Sequence, residues 1–310
     1  MKLLRLIIEK KKILFFFLII IIPACNKTEN IKLKETKKNI IVSIYPLKII
    51  LSEIVGNKME INVLLPTGNS PHTFEPKPSD IAKIRNSSLL FYVDDNLDGW
   101  AAKLNTKESI PILKLLDKSL LINSNCCHNH KHEHIAENID PHFWTSPIAV
   151  KNILPKLTEY ILKIDPDNKD FYYKQQEKFT KELNELINNI NLQLASIKNN
   201  KIFTYHNSFA YFIRDFNLNF GGVLEEYPGK ESGTQYIHHI TNVIKKSKTN
   251  AIFVEPQLNY KSAEIISKEL GIKIITLDPI GNEKTIKTYS DLINYNSNIL
   301  ISTFKEEENK

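Results

Sequence analysis

Short apolar runs alternate with longer amphipathic segments from residue 40 onward. The runs are rich in Ile, Val, Leu and Phe, as strands are, whereas the segments between them repeat apolar positions every three or four residues, as helices do. This alternation predicts βα units around mostly parallel sheets flanked by helices, so the fold class is α/β. The predicted strands are residues 40–45, 60–65, 89–93, 201–205, 251–254 and 272–277.

One long amphipathic segment separates the two groups of strands. Residues 167–198 follow Pro166 and predict a helix of about 45 Å, long enough to run along two lobes and hold them together. The alternative is two shorter helices broken near Asn188 and Asn189, because Asn is a poor helix former. The apolar positions that step by three and four are Phe179, Leu183, Leu186, Ile187, Ile190, Leu194 and Ile197.

Composition excludes several classes of protein. With 42% hydrophobic and 25% charged residues, nine glycines and three cysteines, the 310-residue chain is neither a disordered polymer, a collagen-like repeat nor a disulfide scaffold. The net charge of +6 comes mostly from residues 1–24, so the rest of the chain is nearly neutral. Because a nucleic-acid partner needs a basic face and stacking aromatics, we expect no nucleic-acid binding.

The N-terminus has the features of a secretory signal. Residues 1–24 join a basic start to an apolar run of about 12 residues, too short to span a membrane. Cys25 follows Ile22-Pro23-Ala24, which resembles a bacterial lipobox, so we expect cleavage before Cys25 and lipidation of that residue. The alternative is an ordinary signal peptide with a coincidental cysteine. The polar residues 25–38 predict a flexible tether on an extracytoplasmic, membrane-anchored lipoprotein.

Candidate metal ligands follow the predicted strands. His72, His206 and Asp278 lie just beyond strand ends, where open α/β sheets place their ligand crevices, and His142 has a similar turn context. Three imidazoles and one carboxylate suit tetrahedral Zn(II), whereas Mn(II) favours more oxygen ligands. We therefore expect a zinc site formed by His72, His142, His206 and Asp278.

Six ordered sequence blocks resemble the zinc-binding subgroup of the cluster A-I solute-binding proteins, the zinc/manganese receptors of ABC transporters. The resemblance covers about residues 39–304. The blocks are Pro71-His72-Thr73-Phe74-Glu75-Pro76-Lys77-Pro78-Ser79-Asp80, Asp140-Pro141-His142-Phe143-Trp144-Thr145-Ser146-Pro147, Asp165-Pro166-Asp167-Asn168, His206-Asn207-Ser208-Phe209-Ala210-Tyr211-Phe212, Phe253-Val254-Glu255-Pro256-Gln257 and Asp278-Pro279.

This resemblance implies two α/β lobes joined by one rigid helix. The expected division is an N-terminal lobe at 39–166, a linking helix at 167–198 and a C-terminal lobe at 199–310. The implied function is capture of Zn(II), as transported ligand, between the lobes and delivery to a membrane permease that is driven by a separate ATPase. We expect a monomer bound to lipid through its N-terminal cysteine.

Other functions remain open at the level of sequence. Manganese-preferring relatives carry Glu where this chain has His206, which favours zinc, but a manganese receptor is the nearest alternative. A surface adhesin or zinc-buffering lipoprotein is another. A zinc hydrolase is less favoured, because Asp278 would occupy the open position that a catalytic zinc needs and the chain has no His-Glu-x-x-His motif. We therefore expect no enzymatic activity.

Two further groups of residues have candidate roles around the metal. The stretch 126–134 contains Cys126, Cys127, His128, His130, His132 and His134. Its composition predicts an accessory loop that collects zinc weakly, with a solvated, non-essential loop as the alternative. Glu75 and Glu255 have two possible roles. Each either accepts a hydrogen bond from a metal-ligating imidazole and so orients that ring, or is a buried group held by backbone donors.

Overall fold

The computed structural model describes residues 38–84, 87–104, 108–123, 139–225 and 232–308. All of them belong to one structural unit, Lys37–Lys310. The expected signal peptide, Cys25, the tether up to residue 37 and the whole of the 126–134 stretch lie outside the described residues. No helix in the described ranges has the length and apolar character needed to cross a membrane.

The N-terminal lobe is built on a parallel sheet in the order β2-β1-β3-β4. Its strands are β1 (Lys38–Val42), β2 (Met59–Val63), β3 (Leu89–Tyr92) and β4 (Ser109–Pro111). Strand β3 is buried throughout, and β1 is apolar and buried from Ile40 to Val42, because helices or loops cover both faces of a parallel sheet. The helices are α1 (Tyr45–Val55), α2 (Pro78–Ile84), α3 (Gly99–Ala102) and α4 (Pro147–Ile164).

The C-terminal lobe repeats this arrangement with the strand order β6-β5-β7-β8, again all parallel. Its strands are β5 (Lys201–Thr204), β6 (Asn219–Val223), β7 (Ala251–Val254) and β8 (Lys273–Thr276). The helices are α6 (Ala210–Asp215), α7 (Thr234–Ser247), α8 (Lys261–Leu270) and α9 (Tyr289–Glu308). The predicted α/β fold with two mostly parallel sheets is therefore confirmed.

Strands β4 and β6 were not predicted, and their sequences explain why. Strand β4 is three residues long and ends in a proline, so it has no usable periodicity. Strand β6 contains Gly221 and Gly222, which are poor strand formers. Packing requires them, because a Cβ at Gly221 would lie 2.6 Å from Cζ of Phe203 and Gly222 has a φ of +144°. The tertiary contact with Phe203 thus outweighs the low strand propensity of the two glycines.

One helix, α5 (Lys169–Leu194), joins the lobes and runs through Asn188 and Asn189 without a break. Short 3-10 turns at Pro166–Asn168 and Ala195–Ile197 flank it. Its apolar stripe is fully buried at Leu183 and Ile190, and the helix packs against α1, α4 and α9. The helix therefore shares its core with both lobes, and the single-helix prediction is confirmed over the two-helix alternative.

Truncating the buried stripe of α5 is expected to destabilise the whole protein. Leu183 is 0% exposed, so Leu183→Ala is expected to lower the free energy of unfolding by about 2–5 kcal/mol in urea denaturation, since it leaves a cavity between the helices. Leu192→Ala is the matched control on the same helix. Leu192 is 75% exposed, and its truncation is expected to change the free energy of unfolding by less than about 0.5 kcal/mol. Equal losses in the two variants would contradict this packing.

Candidate metal centre

The loops that follow the strands bring three histidines together. His72 lies in the turn region after β2, His206 two residues after β5, and His142 directly before the 3-10 turn Phe143–Thr145. One ring nitrogen from each lies within 4.8 Å of the other two, and Nε2 of His72 is 3.2 Å from Nε2 of His142. In the described part of the chain this is the one group of His, Cys, Asp or Glu close enough to hold a metal ion.

Two of the three imidazoles are oriented by buried carboxylates. Nδ1 of His142 is 3.0 Å from Oδ1 of Asp140, and Nδ1 of His206 is 3.1 Å from Oε1 of Glu255. Because an ionised carboxylate only accepts hydrogen bonds, each Nδ1–H must donate, which leaves the Nε2 lone pair of each ring for a metal. The rings are therefore held in the tautomer that a metal ligand requires.

The two carboxylates are themselves anchored. Oδ1 of Asp140 also accepts the backbone N–H of His142 at 2.8 Å, and Oε1 of Glu255 accepts the hydroxyl of Ser208 at 2.7 Å. Both side chains are buried, so these additional donors help to offset the cost of removing a charge from water. The hydrogen-bond chain Ser208–Glu255–His206 links β5 to β7 at the carboxyl edge of the second sheet.

His72 has a different environment. It is half-buried, and no carboxylate among the described residues hydrogen-bonds to its ring. Burial, together with the neighbouring rings of His206 and His142, holds the pKa of His72 well below its usual value of 6.5. The imidazole therefore stays neutral at neutral pH, which is the state that binds a metal.

Asp278 lies at the end of β8 but is not part of the histidine group. Its Oδ1 accepts hydrogen bonds from Gln257 Nε2 at 2.7 Å and from the backbone N–H groups of Ile280 and Gly281 at 3.1 and 2.9 Å. Asn296 on α9 accepts the N–H of Asp278 and donates to its carbonyl, both at 2.8 Å. The structure thus fixes Asp278 at the same edge of the sheet as His206, outside the 4.8 Å group.

The segment around His142 is tied to the opposite lobe. The buried indole of Trp144 donates to the carbonyl of Pro279 at 2.9 Å, and the hydroxyl of Tyr289 donates to the carbonyl of Trp144 at 2.8 Å. On the other side of His142, the hydroxyl of Tyr211 donates to the carbonyl of Asp140 at 2.8 Å. These bonds between protein groups join the two halves of the site.

The expectation for Glu75 differs from what the structure contains. Glu75 is exposed, and no hydrogen bond among the described residues links it to an imidazole. The carboxylate beside His142 is Asp140, which the sequence analysis did not single out. The sequence contains a feature that could have predicted this contact. Asp140 precedes His142 by two residues, with a proline between them, and an Asp side chain at this spacing can hydrogen-bond to the residues that follow it. Glu255, in contrast, contacts a ligand ring directly.

The donor set fits zinc on chemical grounds. Three imidazoles lie close together, and a carboxylate lies at the neighbouring strand end, which is the mixture of nitrogen and oxygen ligands that four-coordinate Zn(II) favours. The adjacent histidines His238 and His239 are exposed on α7 and do not join the cluster.

Two parallel α/β lobes, joined by one helix and contributing histidines to a common centre, define a two-lobed metal-binding protein. Residues 40–303 match the family described as "ZnuA: Zinc-uptake complex component A periplasmic". The chain belongs to this family, which confirms the resemblance seen in its sequence blocks.

Individual relatives of this chain are named as zinc-binding or zinc-uptake proteins. The chain is 27% identical over 278 residues to the zinc-binding protein AdcA of Streptococcus pyogenes, which covers 84% of this chain and 54% of AdcA. It therefore spans about half the length of the first relatives it matches. It is 25% identical over 289 residues to the high-affinity zinc uptake system protein ZnuA of Yersinia pestis, covering 86% of this chain and 91% of that protein.

Solved structures share the fold. A crystal structure of ZnuA superimposes with a TM-score of 0.75 at 27% identity, covering 86% of this chain and 98% of that one. The periplasmic zinc-binding protein TroA from Treponema pallidum gives a TM-score of 0.76 at 17% identity, over 86% of this chain and 99% of TroA, so this second likeness concerns the fold alone.

Lowering the pH is expected to destabilise the metal-free protein through His72. The unfolded chain protonates this imidazole near pH 6.5, whereas the folded protein keeps it neutral to a lower pH. The unfolded state therefore binds more protons in this pH window. As the pH is lowered, the free energy of unfolding decreases by at most about 1.4 kcal/mol per pH unit. The loss levels off below the folded pKa.

Urea denaturation in the presence of a chelator, from about pH 7.5 to about pH 5, measures this effect. His72→Gln has no imidazole at that position and is expected to show a shallower decline than the wild type, while all other titrating groups are shared. Identical slopes for the two proteins would contradict a depressed pKa at His72.

Proposed function

We propose that this protein is the extracytoplasmic zinc receptor of an ABC metal importer. It captures Zn(II) between its lobes and delivers it to a membrane permease that is driven by a separate ATPase. The observation that carries the proposal is the group of His72, His142 and His206, in which two buried carboxylates present ring nitrogens to one point. Membership of the zinc-uptake family supports the same conclusion.

Zinc is favoured over manganese by the ligand types. The site offers three imidazole nitrogens, and His206 supplies one of them from a buried, carboxylate-bonded ring. Mn(II) prefers oxygen-rich octahedral sites, whereas Zn(II) accepts nitrogen in tetrahedral geometry. Asp278 is proposed as the fourth ligand through Oδ2, since its other oxygen already accepts three hydrogen bonds.

A closed set of four protein ligands argues for binding and not for catalysis. A catalytic zinc keeps one position open for water and needs a general base beside it. Here Asp278 would fill that position, and the two carboxylates beside the cluster are engaged with imidazole N–H groups. We therefore propose that the protein is not an enzyme.

The parts outside the described residues receive roles by proposal as well. Residues 1–24 direct export, and Cys25 carries lipid that anchors the mature protein to a bacterial membrane through the tether at 25–38. The relative from Streptococcus pneumoniae (strain R6) is named zinc-binding lipoprotein AdcA, which supports such an anchor. Residues 126–134 act as an accessory loop that collects zinc. This loop belongs to the N-terminal lobe, 39–166, and residues 167–198 link that lobe to the C-terminal lobe, 199–310. The protein works as a monomer.

Calorimetric titration of metal-stripped protein lacking residues 1–25 tests this function. We expect one tight Zn(II) site and much weaker Mn(II) binding, because the ligands are mostly nitrogen. His206→Ala is expected to weaken Zn(II) by more than about tenfold, whereas deletion of residues 126–134 leaves the tight site in place. Tighter Mn(II) than Zn(II), or loss of all binding with the loop, would overturn the proposal.

Removing the charge of the orienting carboxylates is expected to weaken zinc without removing a ligand. Asp140→Asn and Glu255→Gln each keep the shape of the side chain but lose the acceptor charge that orients a ring, and a loss of about 10–100-fold in zinc affinity is expected. Glu75→Gln makes the same chemical change on an exposed residue that has no hydrogen bond to an imidazole among the described residues, and it serves as the control. An equal loss in all three variants would show that overall charge, and not ring orientation, sets the affinity.

A further inference from the structure

His72 is held differently from the other two imidazoles of the cluster. His142 and His206 each have a buried carboxylate at Nδ1, whereas no carboxylate among the described residues hydrogen-bonds to the ring of His72. His72 also lies on a loop and not on a helix or a strand, since residues 66–77 connect β2 to α2. Its position must therefore be fixed by contacts other than a charged partner.

One indole connects this loop to the rest of the N-terminal lobe. Nε1 of Trp100 on α3 donates a hydrogen bond to the carbonyl of Pro71 at 3.1 Å. Pro71 directly precedes His72, so this bond holds the main chain next to the imidazole. Apart from the contact between the rings of His72 and His142, it is the one hydrogen bond that reaches residues 66–76 from elsewhere in the described part of the chain.

Trp100 makes a second contact on the other side of His72. The rings of Phe74 and Trp100 meet edge to face, with their centroids 4.8 Å apart and their planes inclined at 66°. This is a favourable arrangement for two aromatic rings. The same side chain thus contacts the residue before His72 and the second residue after it, so the imidazole lies between two anchored points.

The indole is itself attached to the first sheet. The buried carboxylate of Asp98, directly before α3, accepts the backbone N–H groups of Val93 and Asp94 at 2.9–3.0 Å. These bonds tie the start of α3 to the end of β3. Ala101, the next residue after Trp100, is fully buried in the core beside this sheet. Trp100 therefore transmits a fixed position from β3 to the loop that carries His72.

The loop has open space beside it. Thr73, the residue after His72, lines one cavity of about 480 Å³ and a second cavity of about 440 Å³. Dense packing does not by itself hold the loop in place there, since a side chain or loop bordered by empty volume can shift into it. The two contacts of Trp100 are therefore needed to keep the imidazole beside His142 and His206.

We propose that Trp100 is a positioning residue of the zinc site, which holds His72 within reach of the metal through Pro71 and Phe74. For His72 it does what the buried carboxylates do for the other two rings, but it acts on the main chain and not on the imidazole. This inference rests on the proposed function, since it takes the three histidines as zinc ligands. The bond from Trp100 Nε1 to the carbonyl of Pro71 is the contact that carries it.

The first test is a double-mutant cycle on zinc affinity. Trp100→Phe removes the indole N–H and keeps an aromatic ring, and it is expected to weaken Zn(II) binding about tenfold, as loss of a group that supports a metal ligand does. In the His72→Ala protein the same substitution is expected to cause no further loss, because the ring that Trp100 positions is already absent. A general loss of structure would weaken zinc equally with and without His72.

The second test measures the exposure of each histidine in zinc-loaded protein. Diethyl pyrocarbonate modifies imidazole nitrogens that carry no metal, and mass spectrometry of the peptides separates His72 from His142 and His206. Trp100→Phe is expected to speed the modification of His72 relative to the other two. Phe74→Leu removes the other contact and keeps the bond to Pro71, so it should shift this ratio in the same direction, and it serves as the test if Trp100→Phe does not fold.

A matched control is Tyr92→Phe. Tyr92 packs in the same cluster of apolar residues as Trp100, and its hydroxyl donates to Oδ1 of Asp95 at 2.7 Å. The substitution therefore also removes one hydrogen bond from an aromatic side chain of this cluster, but that bond does not reach the loop of His72. Zinc affinity and the modification of His72 should equal those of the wild type.

Three results would overturn the inference. Unchanged zinc affinity in Trp100→Phe would show that the bond to Pro71 does not position a ligand. Equal losses with and without His72, or equally faster modification of all three histidines, would make Trp100 merely structural. A change of the same size in Tyr92→Phe would also refute it. Failure of the proposed function is a separate result, because the wild type itself would then not bind Zn(II) tightly.

Discussion

The hydrogen bond from Trp144 to the carbonyl of Pro279 fixes the relation between the two lobes. Trp144 follows His142 by two residues, and Pro279 follows Asp278 directly, so one bond of 2.9 Å joins the neighbourhoods of two site residues. The indole is fully buried, and an indole N–H left without an acceptor would cost about 1–3 kcal/mol. Tyr289 strengthens the same contact from the second lobe. The geometry of the cleft is therefore supported by contacts between protein groups.

Two buried carboxylates stand behind the imidazoles of the site. Asp140 is hydrogen-bonded to Nδ1 of His142 and Glu255 to Nδ1 of His206. At the opposite edge of the His142 ring, Nε2 lies 3.2 Å from Nε2 of His72, whose pKa is lowered. A divalent ion between the rings would satisfy the lone pairs and the carboxylates together. The affinity for a cation would thus depend both on the histidines and on the carboxylates that hydrogen-bond to them.

The sequence predicted the fold and the histidines because both depend on local pattern. Strand periodicity placed His72 and His206 beyond strand ends, and parallel topology brings such ends to one edge. The sequence pattern did not predict β6. The ring of Phe203 requires the glycines of this strand, and that contact is seen only in the folded lobe. The carboxylate partners divide in the same way. Glu255 followed a predicted strand, whereas the choice of Asp140 over Glu75 depends on how a short turn folds back, which propensities do not determine.

The wide separation of the ligands along the chain has a consequence for folding. His72 and His142 are 70 positions apart, and His206 follows only after the helix that joins the lobes. Contacts of such long range form late, after local elements have formed and closed large loops. A site that needs all three histidines would therefore be complete only after both lobes have reached their native packing.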